Sequence, residues 1–201
     1  MSLTGYFGNI DIYLFDQILK ERFNPKMRVL DAGCGGGRNI VYFLRAGYEV
    51  FGTDQNEDAI FAVQNLAEQI NPNYRSENFK FANVEKMPFA DDFFDLVISS
   101  AVLHFADDET HFNLMFDEMW RVLKPNGILF ARLASDIGIE NLVENVSGRR
   151  FILPDGSERF LVNEKMLIDK TNKLGGVFLE PIKTTNVQNL RCMTTLVLLK
   201  I

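Results

Sequence analysis

The sequence is poor in the residues from which metal sites and disulfide frameworks are built. Its 201 residues include two cysteines, Cys34 and Cys192, and two histidines, and neither cysteine has a His or Cys at metal-ligand spacing nearby. Two distant cysteines in a chain of this length do not make a disulfide framework, and they favour a reducing compartment. We therefore expect a reduced, cytoplasmic protein that holds no metal.

The sequence also lacks a long apolar run and an excess of positive charge. No segment approaches the roughly 20 apolar residues that cross a bilayer, and residues 1–8 have no basic stretch followed by an apolar one, which predicts no secretory signal. Lys and Arg number 21 against 27 Asp and Glu, so the net charge is -6. Because nucleic-acid surfaces depend on clustered cations, neither a nucleic acid nor a membrane is the expected partner.

What is present is a regular alternation of short apolar strands and amphipathic helices. Hydrophobic residues make up 47% of the chain and charged residues 24%, the composition of one ordinary globular domain, here 1–201. Strands are expected at 28–30, 48–53, 79–82, 94–99 and 128–133, and helices at 10–18, 40–44, 57–70, 108–123 and 163–174. This alternation predicts an α/β fold with a doubly wound, mostly parallel sheet and helices on both faces.

The last third of the chain departs from that alternation. Residues 150–160 predict a hairpin around Pro154-Asp155-Gly156, in a small substrate-side insertion at about 135–160. Two β-rich runs follow at 177–183 and 192–200, joined by a polar link too short for a crossover helix. Strands joined in this way are expected to pair antiparallel.

The most informative segment is the glycine-rich turn at residues 29–37, VLDAGCGGG, directly after the first strand. Glycines at positions 33, 35 and 37 let the backbone turn tightly and approach a ligand closely. The helix that follows directs free N–H groups at that ligand, and in a doubly wound sheet this loop lies where ligands bind. We therefore expect a nucleoside cofactor here.

The residues around this turn restrict the cofactor. A dinucleotide fingerprint needs a small residue at the sixth position, where Arg38 stands, and no Gly-Lys-Ser/Thr of a phosphate-binding loop occurs. Asp31 would repel a pyrophosphate but attract an ammonium group. Asp54 ends the second strand, where an acid accepts hydrogen bonds from ribose hydroxyls. The pattern favours a cationic nucleoside that carries an amino acid.

Three segments together resemble the class I S-adenosylmethionine-dependent methyltransferases. Residues 29–39 resemble motif I, residues 85–97 the stretch that leads into the fourth strand, and residues 120–127 the turn before the fifth. They follow the family's order and spacing over about 25–134, in a manner similar to methyltransferase types 11 and 12. The Gly-Arg-Asn ending of motif I most resembles the tellurite-resistance-like branch.

The resemblance implies a Rossmann-like fold, a cofactor and a set of binding residues. The expected sheet has seven strands with an antiparallel last strand, and the cofactor is S-adenosyl-L-methionine, which leaves as S-adenosyl-L-homocysteine. Asn83 stands where the family often has Asp, and an Asn carbonyl can accept the same hydrogen bond. The implied cofactor-binding residues are Asp31, Gly33, Gly35, Gly37, Asp54, Gln55, Asn83, Val84 and Ser99, with Ala101 beside the methionine portion.

Both histidines follow the fourth strand. His104 is the candidate general base, because it lies at the ligand end of the sheet and its pKa range suits the task; a structural histidine packed under the next helix is the alternative. His111 is interpreted as a solvated or packing residue within its helix.

Four further residues are candidates for acceptor binding. Tyr6 and Tyr13 belong to an N-terminal segment that either covers the cofactor or packs in the core. Arg149 and Arg150 flank the hairpin, as does Arg159, and they either attract an anionic acceptor or lie on a solvated surface.

Three functions remain open from the sequence. The leading one is methyl transfer to a small-molecule acceptor, by a monomer or a homodimer. There are two alternatives. One is a non-catalytic regulatory protein that binds S-adenosylmethionine, and the other is a nicotinamide-dependent oxidoreductase, which Asp31 and Arg38 disfavour.

Overall fold

The structure is a computed structural model that describes residues 2–201. The helices of that range are α1 Leu3–Phe7, α2 Ile12–Leu19, α3 Val41–Arg45, α4 Glu57–Ile70, α5 Glu109–Val122 and α6 Glu164–Lys173. The strands are β1 Arg28–Ala32, β2 Glu49–Asp54, β3 Phe79–Phe81, β4 Phe94–Ser100, β5 Leu123–Ser135, β6 Glu144–Ser147, β7 Arg150–Ile152, β8 Glu158–Phe160, β9 Gly176–Phe178, β10 Lys183–Val187 and β11 Arg191–Lys200. Within that range, no helix is both long enough and apolar enough to span a membrane.

The main sheet has the order β10-β11-β5-β4-β1-β2-β3. Strands β3, β2, β1, β4 and β5 are parallel, and β11 pairs antiparallel with β5. The predicted Rossmann-like class, with its mostly parallel sheet and antiparallel last strand, is therefore confirmed. Strands β1 and β4 lie in the middle of the sheet and are buried along almost their whole length, as their continuous apolar runs require.

The sheet has eight strands among the described residues, one more than predicted. The strand expected at 177–183 is present only as the short β9, Gly176–Phe178, and a further strand, β10, begins at Lys183; both pair antiparallel with β11. Pro181 lies in the gap between them, and proline has no N–H to donate to a sheet and holds φ near −65°. The strand therefore ends at Phe178, and pairing with β11 resumes in β10 at Lys183, after four intervening residues.

The end of α5 also differs from the prediction. Strand β5 starts at Leu123, directly after the helix and well before the expected start at 128. The register of its pairing with β4 shifts between Phe94 and Leu96, and Asn126 has φ +63° in this stretch. Part of the segment 120–127, expected as the turn before the fifth strand, is thus an irregular beginning of β5.

Two apolar layers hold the helices against the sheet. Helix α4 turns Ile60, Val63 and Ala67 inward at helical spacing, and the Asn56 side chain caps its N-terminus by accepting from the Asp58 N–H at 2.9 Å. Helix α5 packs Phe112 with its other apolar residues on the opposite face. Both faces of the sheet are therefore covered, which leaves the carboxyl ends of the strands for a site.

A second, three-stranded sheet of order β6-β7-β8 lies between β5 and α6. The hairpin expected at 150–160 is present as β7 and β8, closed by a hydrogen bond from the Gly156 N–H to the Leu153 carbonyl at 2.8 Å. Leu153 and Leu161 pack on Ala134 of β5, which fixes this small sheet at the carboxyl end of the main one.

Candidate functional site

The glycine-rich turn after β1 is shaped to bring backbone against a ligand. The N–H groups of Gly33 and Cys34 both donate to the Thr53 carbonyl at 2.8 Å, which ties the turn to β2. Gly33 has φ +80°, and a Cβ there would stand 2.5 Å from Val102. At Gly35, which has φ +49°, a Cβ would meet nothing within 4 Å. The turn therefore packs tightly at Gly33 and borders open space at Gly35.

Asp31 is a buried carboxylate without a full set of partners. Its side chain is 1% exposed, and its Oδ2 accepts no hydrogen bond from residues 2–201. Burial raises its pKa to about 8; the nearby Arg38 opposes this and Asp54 adds to it. A buried acid that lacks a partner costs stability unless a cation or donor meets it. The ammonium group of S-adenosylmethionine fits this atom.

Asp54 stands at the end of β2, on the other side of the same turn. Its Oδ2 accepts from the Gly35 N–H at 2.8 Å and its Oδ1 from the Asn56 N–H at 2.9 Å. Both oxygens keep further lone pairs, so the carboxylate can accept hydroxyl donors while the turn holds it in place. A carboxylate held in this way is suited to accept hydrogen bonds from the hydroxyls of a ribose.

A cavity of about 210 Å³, which we call the cofactor cavity, is bordered by Gly33 of the turn and by Asp54, whereas the buried Asp31 is not among its lining residues. Its lining residues are Gly33, Asp54, Gln55, Val84, Glu85, Ala101, Val102, Phe105, His111 and Met115. A second cavity of about 470 Å³ lies on the other side of Gly33 and includes Gly35 and Ser100. Among the predicted residues, Ser99 is buried with a hydroxyl that has no partner in residues 2–201, and Asn83 is exposed outside both cavities.

Several residues of the cofactor cavity were not expected from the sequence. His111, interpreted as solvated or packing, lines this cavity from the first turn of α5, and its Nε2 lies 3.5 Å from Glu85. Met115 follows one turn later on the same face. The available signal was positional, because a helix that follows a parallel strand begins at the edge of the sheet where ligands bind.

His104 lies outside the cofactor cavity. It is 6% exposed, its Nδ1 accepts from the Ala134 N–H at 3.3 Å, and its pKa is lowered to about 4, first by burial and then by Arg159 and two further arginines. The ring is therefore neutral at pH 7 and a weak base. Its role as general base stays a prediction, and the burial matches the structural alternative.

The remaining candidates for acceptor binding line neither cavity. The Tyr13 hydroxyl bonds to the Thr185 hydroxyl on β10, and Tyr6 packs edge-on against two aromatic rings of the N-terminal region. Arg149 pairs with Asp136 at 2.5 Å and Arg150 with Glu158 at 2.6 Å. The structure thus engages these side chains in internal contacts, and their acceptor role stays a prediction. Nowhere in residues 2–201 do three or more His, Cys, Asp or Glu side chains form a cluster suited to a metal ion.

The fold and the site define a Rossmann-like protein of the class I methyltransferase type. The family model described as "Methyltransferase domain" matches residues 30–131, just over half of the chain. The chain belongs to this methyltransferase family. The match begins at β1 and ends within β5, so it contains the glycine-rich turn, Asp31 and Asp54.

One named methyltransferase is similar to this chain over about half of its length. A malonyl-[acyl-carrier protein] O-methyltransferase from Erwinia billingiae (strain Eb661) is 30% identical over 110 residues, 54% of this chain and 40% of that protein. The matched segment thus spans less than half the length of that relative.

Solved structures share the fold over nearly the whole chain. The crystal structure of the PH0226 protein from Pyrococcus horikoshii OT3 has a TM-score of 0.75 at 20% identity and covers 99% of this chain and 96% of its own. Magnesium protoporphyrin IX methyltransferase from Synechocystis PCC 6803, solved with bound S-adenosylhomocysteine, has a TM-score of 0.70 at 16% identity. The match covers 98% of this chain and 84% of that one. The cofactor expected from the sequence is thus the one seen in this fold.

Proposed function

We propose that this chain binds S-adenosylmethionine and transfers its methyl group to a small-molecule acceptor. The observation that carries the proposal is the buried Oδ2 of Asp31, which has no partner within residues 2–201 and lies at the end of β1 beside the glycine-rich turn. Membership of the methyltransferase family and the unpartnered carboxyl of Asp31 both support S-adenosylmethionine as the cofactor.

The glycine-rich turn and the ends of the strands bind different parts of the cofactor. Asp31 and the backbone at Gly33 hold the ammonium group, and the space beside Gly35 accommodates the amino-acid portion. Asp54 accepts from the ribose hydroxyls, with Gln55 and Val84 beside the adenine in the cofactor cavity. Ser99 offers its unpartnered hydroxyl to the methionine portion, and Asn83 and Gly37 complete the predicted set.

The bound sulfonium supplies the methyl group, and this chain supplies alignment and protection from water. The acceptor's lone pair must approach the methyl carbon in line with the breaking carbon–sulfur bond, which a rigid pocket favours by fixing both partners. Ala101 lines both the cofactor cavity and a neighbouring cavity of about 320 Å³, which also contains His104. That volume suits a small molecule.

Calorimetric titration with S-adenosylhomocysteine, S-adenosylmethionine and NADH tests the proposal. We expect micromolar binding of the two adenosyl ligands and none of NADH. Asp54→Ala should weaken adenosyl binding by at least ~1.5 kcal/mol, the scale of lost charge-assisted hydrogen bonds. The matched control is Asp58→Asn, an exposed acid in the first turn of α4, which should bind as the parent does. Unchanged affinity in Asp54→Ala would refute the ribose assignment.

Turnover separates catalysis from mere cofactor binding. Incubation with methyl-labelled S-adenosylmethionine and a set of small acceptors should transfer label to an acceptor and release S-adenosylhomocysteine. Tight adenosyl binding with no transfer to any acceptor would favour the regulatory alternative.

A further inference from the structure

Three arginines converge on the cavity next to the cofactor cavity. Arg132 of β5, Arg159 of β8 and Arg191 of β11 line the same space of about 320 Å³, and we call it the arginine cavity. They come from distant parts of the sequence, so no local run of charged residues predicts that they lie together. His104, a buried ring, lines the same cavity, and its pKa is lowered first by burial and then by these three arginines.

The cavity carries more positive than negative charge. Arg132 pairs with Asp11 at 3.1 Å, and Arg38 shares that acid at 3.9 Å. Arg191 stands 3.7 Å from Asp155.

Arg159 has no acidic partner within 4 Å among residues 2–201. Its guanidinium lies 5.0 Å above the ring of Phe105 and donates to the Glu158 carbonyl at 2.6 Å. Of the three arginines that line the cavity, Arg132 and Arg191 each have a nearby carboxylate, whereas Arg159 has none, so its guanidinium is the positive charge left for a ligand.

The rest of the cavity wall is suited to an organic ligand. Leu153, Val187, Met193 and Ala134 supply apolar surface to the same cavity. Because Nδ1 of His104 already accepts from the Ala134 N–H, the neutral ring keeps its proton on Nε2, which has no partner among residues 2–201. A molecule with one charged end and an apolar body would satisfy both parts of the wall.

The arginine cavity also adjoins the cofactor. Ala101 lines it and the cofactor cavity together, and Phe105, which lies beneath Arg159, lines the cofactor cavity. Molecules bound in the two cavities would therefore meet at Ala101.

We propose that the arginine cavity binds the methyl acceptor, and that this acceptor is a small organic carboxylate anchored by Arg159 and Arg191. The inference rests on the proposed methyl transfer and adds the class of acceptor. A guanidinium presents paired N–H donors that match the two oxygens of a carboxylate. A single excess positive charge fits a monoanion better than a phosphate dianion.

The test uses protein saturated with S-adenosylhomocysteine, whose binding is measured first. Benzoate, phenyl phosphate and the neutral analogue benzamide are then titrated separately into the loaded protein. We expect benzoate to bind at least tenfold more tightly than benzamide and more tightly than phenyl phosphate. Tighter binding of phenyl phosphate would overturn the carboxylate assignment, and equal binding of benzoate and benzamide would overturn the anion site altogether.

Variants assign the effect to the cavity. Arg159→Gln and Arg191→Gln should each weaken benzoate roughly tenfold while S-adenosylhomocysteine binding changes less than twofold. The matched control is Arg75→Gln, which removes an exposed arginine that pairs with Glu77 and does not line the arginine cavity. Asp155→Asn keeps an acceptor for the Ser157 N–H but removes the acid beside Arg191, so it should tighten benzoate roughly threefold.

The outcomes separate this inference from the proposed function. If the parent protein does not bind S-adenosylhomocysteine, the proposed function is refuted. Normal binding of that ligand, with benzoate unaffected by Arg159→Gln and Arg191→Gln, would refute the arginine cavity alone.

Discussion

Asp31→Asn should make the protein more stable while depriving it of its cofactor. Asp31 is 1% exposed and burial raises its pKa from 3.8 to about 8, so the fold disfavours the ionised form. Asparagine has nearly the same shape and no charge. The gain appears in the free energy of unfolding at neutral pH, and the loss appears in adenosyl binding.

The magnitude follows from proton linkage. A group whose folded pKa lies above its unfolded value destabilises the fold as the pH rises from the unfolded pKa to the folded one, here from about 4 to about 8. Each pH unit in that window corresponds to ~1.4 kcal/mol, so the penalty at pH 7 has an upper limit of about 4 kcal/mol. Unpartnered amide donors of the new asparagine offset part of this, and we expect a net gain of about 1–3 kcal/mol.

Urea denaturation at pH 7 and pH 4 measures the effect. The stability gap between Asp31→Asn and the parent should narrow to below about 1 kcal/mol at pH 4, because the parent carboxyl is then protonated in the fold and partly protonated when unfolded. Asp58→Asn, the exposed control, should stay within about 0.5 kcal/mol of the parent at both values. Equal or lower stability of Asp31→Asn at pH 7, or a gap that does not change with pH, would show that Asp31 is not a buried acid awaiting a cation.

Other substitutions and reagents test the surroundings of the site. Gly33→Ala should destabilise the protein more than Gly35→Ala, because its Cβ would stand 2.5 Å from Val102 while that of Gly35 meets nothing within 4 Å; urea midpoints in the reverse order would contradict the packing. Cys34 and Cys192 should resist a thiol reagent until the protein unfolds, because both are buried and burial raises the pKa of each thiol; rapid labelling of the native protein would be the contrary result. Tyr13→Phe should cost about 1 kcal/mol of stability, since its hydroxyl joins α2 to β10 through Thr185, and an unchanged melting midpoint would show that this link contributes nothing.

The sequence predicts the first half of the fold well because local signals there agree with tertiary packing. Strand β1, the glycine-rich turn and helix α4 each combine a clear apolar period with turn or capping residues, and the structure agrees with them. The second half depends on contacts between distant segments. The pairing of both β9 and β10 with β11, on either side of Pro181, could not be derived from a run that looked continuous.

The candidate site shows the same division. Asp31 and Asp54 follow strand ends, so their position could be predicted from topology alone. His111 comes to the cofactor cavity only because α5 begins at that edge of the sheet. The lowered pKa of His104 depends on its burial beside β5 and on three arginines remote in sequence. Convergence of Arg132, Arg159 and Arg191 is a property of the folded chain.

Proton release on binding tests whether Asp31 receives the ammonium group of the cofactor. Calorimetric titration with S-adenosylhomocysteine at pH 7, repeated in buffers of different ionisation enthalpy, counts the protons exchanged. We expect release of about 0.5–1 proton, because the arriving cation lowers a pKa that stands at about 8 in the free protein. Asp31→Asn should release almost none and should also bind far more weakly. Binding without proton release in the parent, or unchanged affinity in Asp31→Asn, would contradict this role of Asp31.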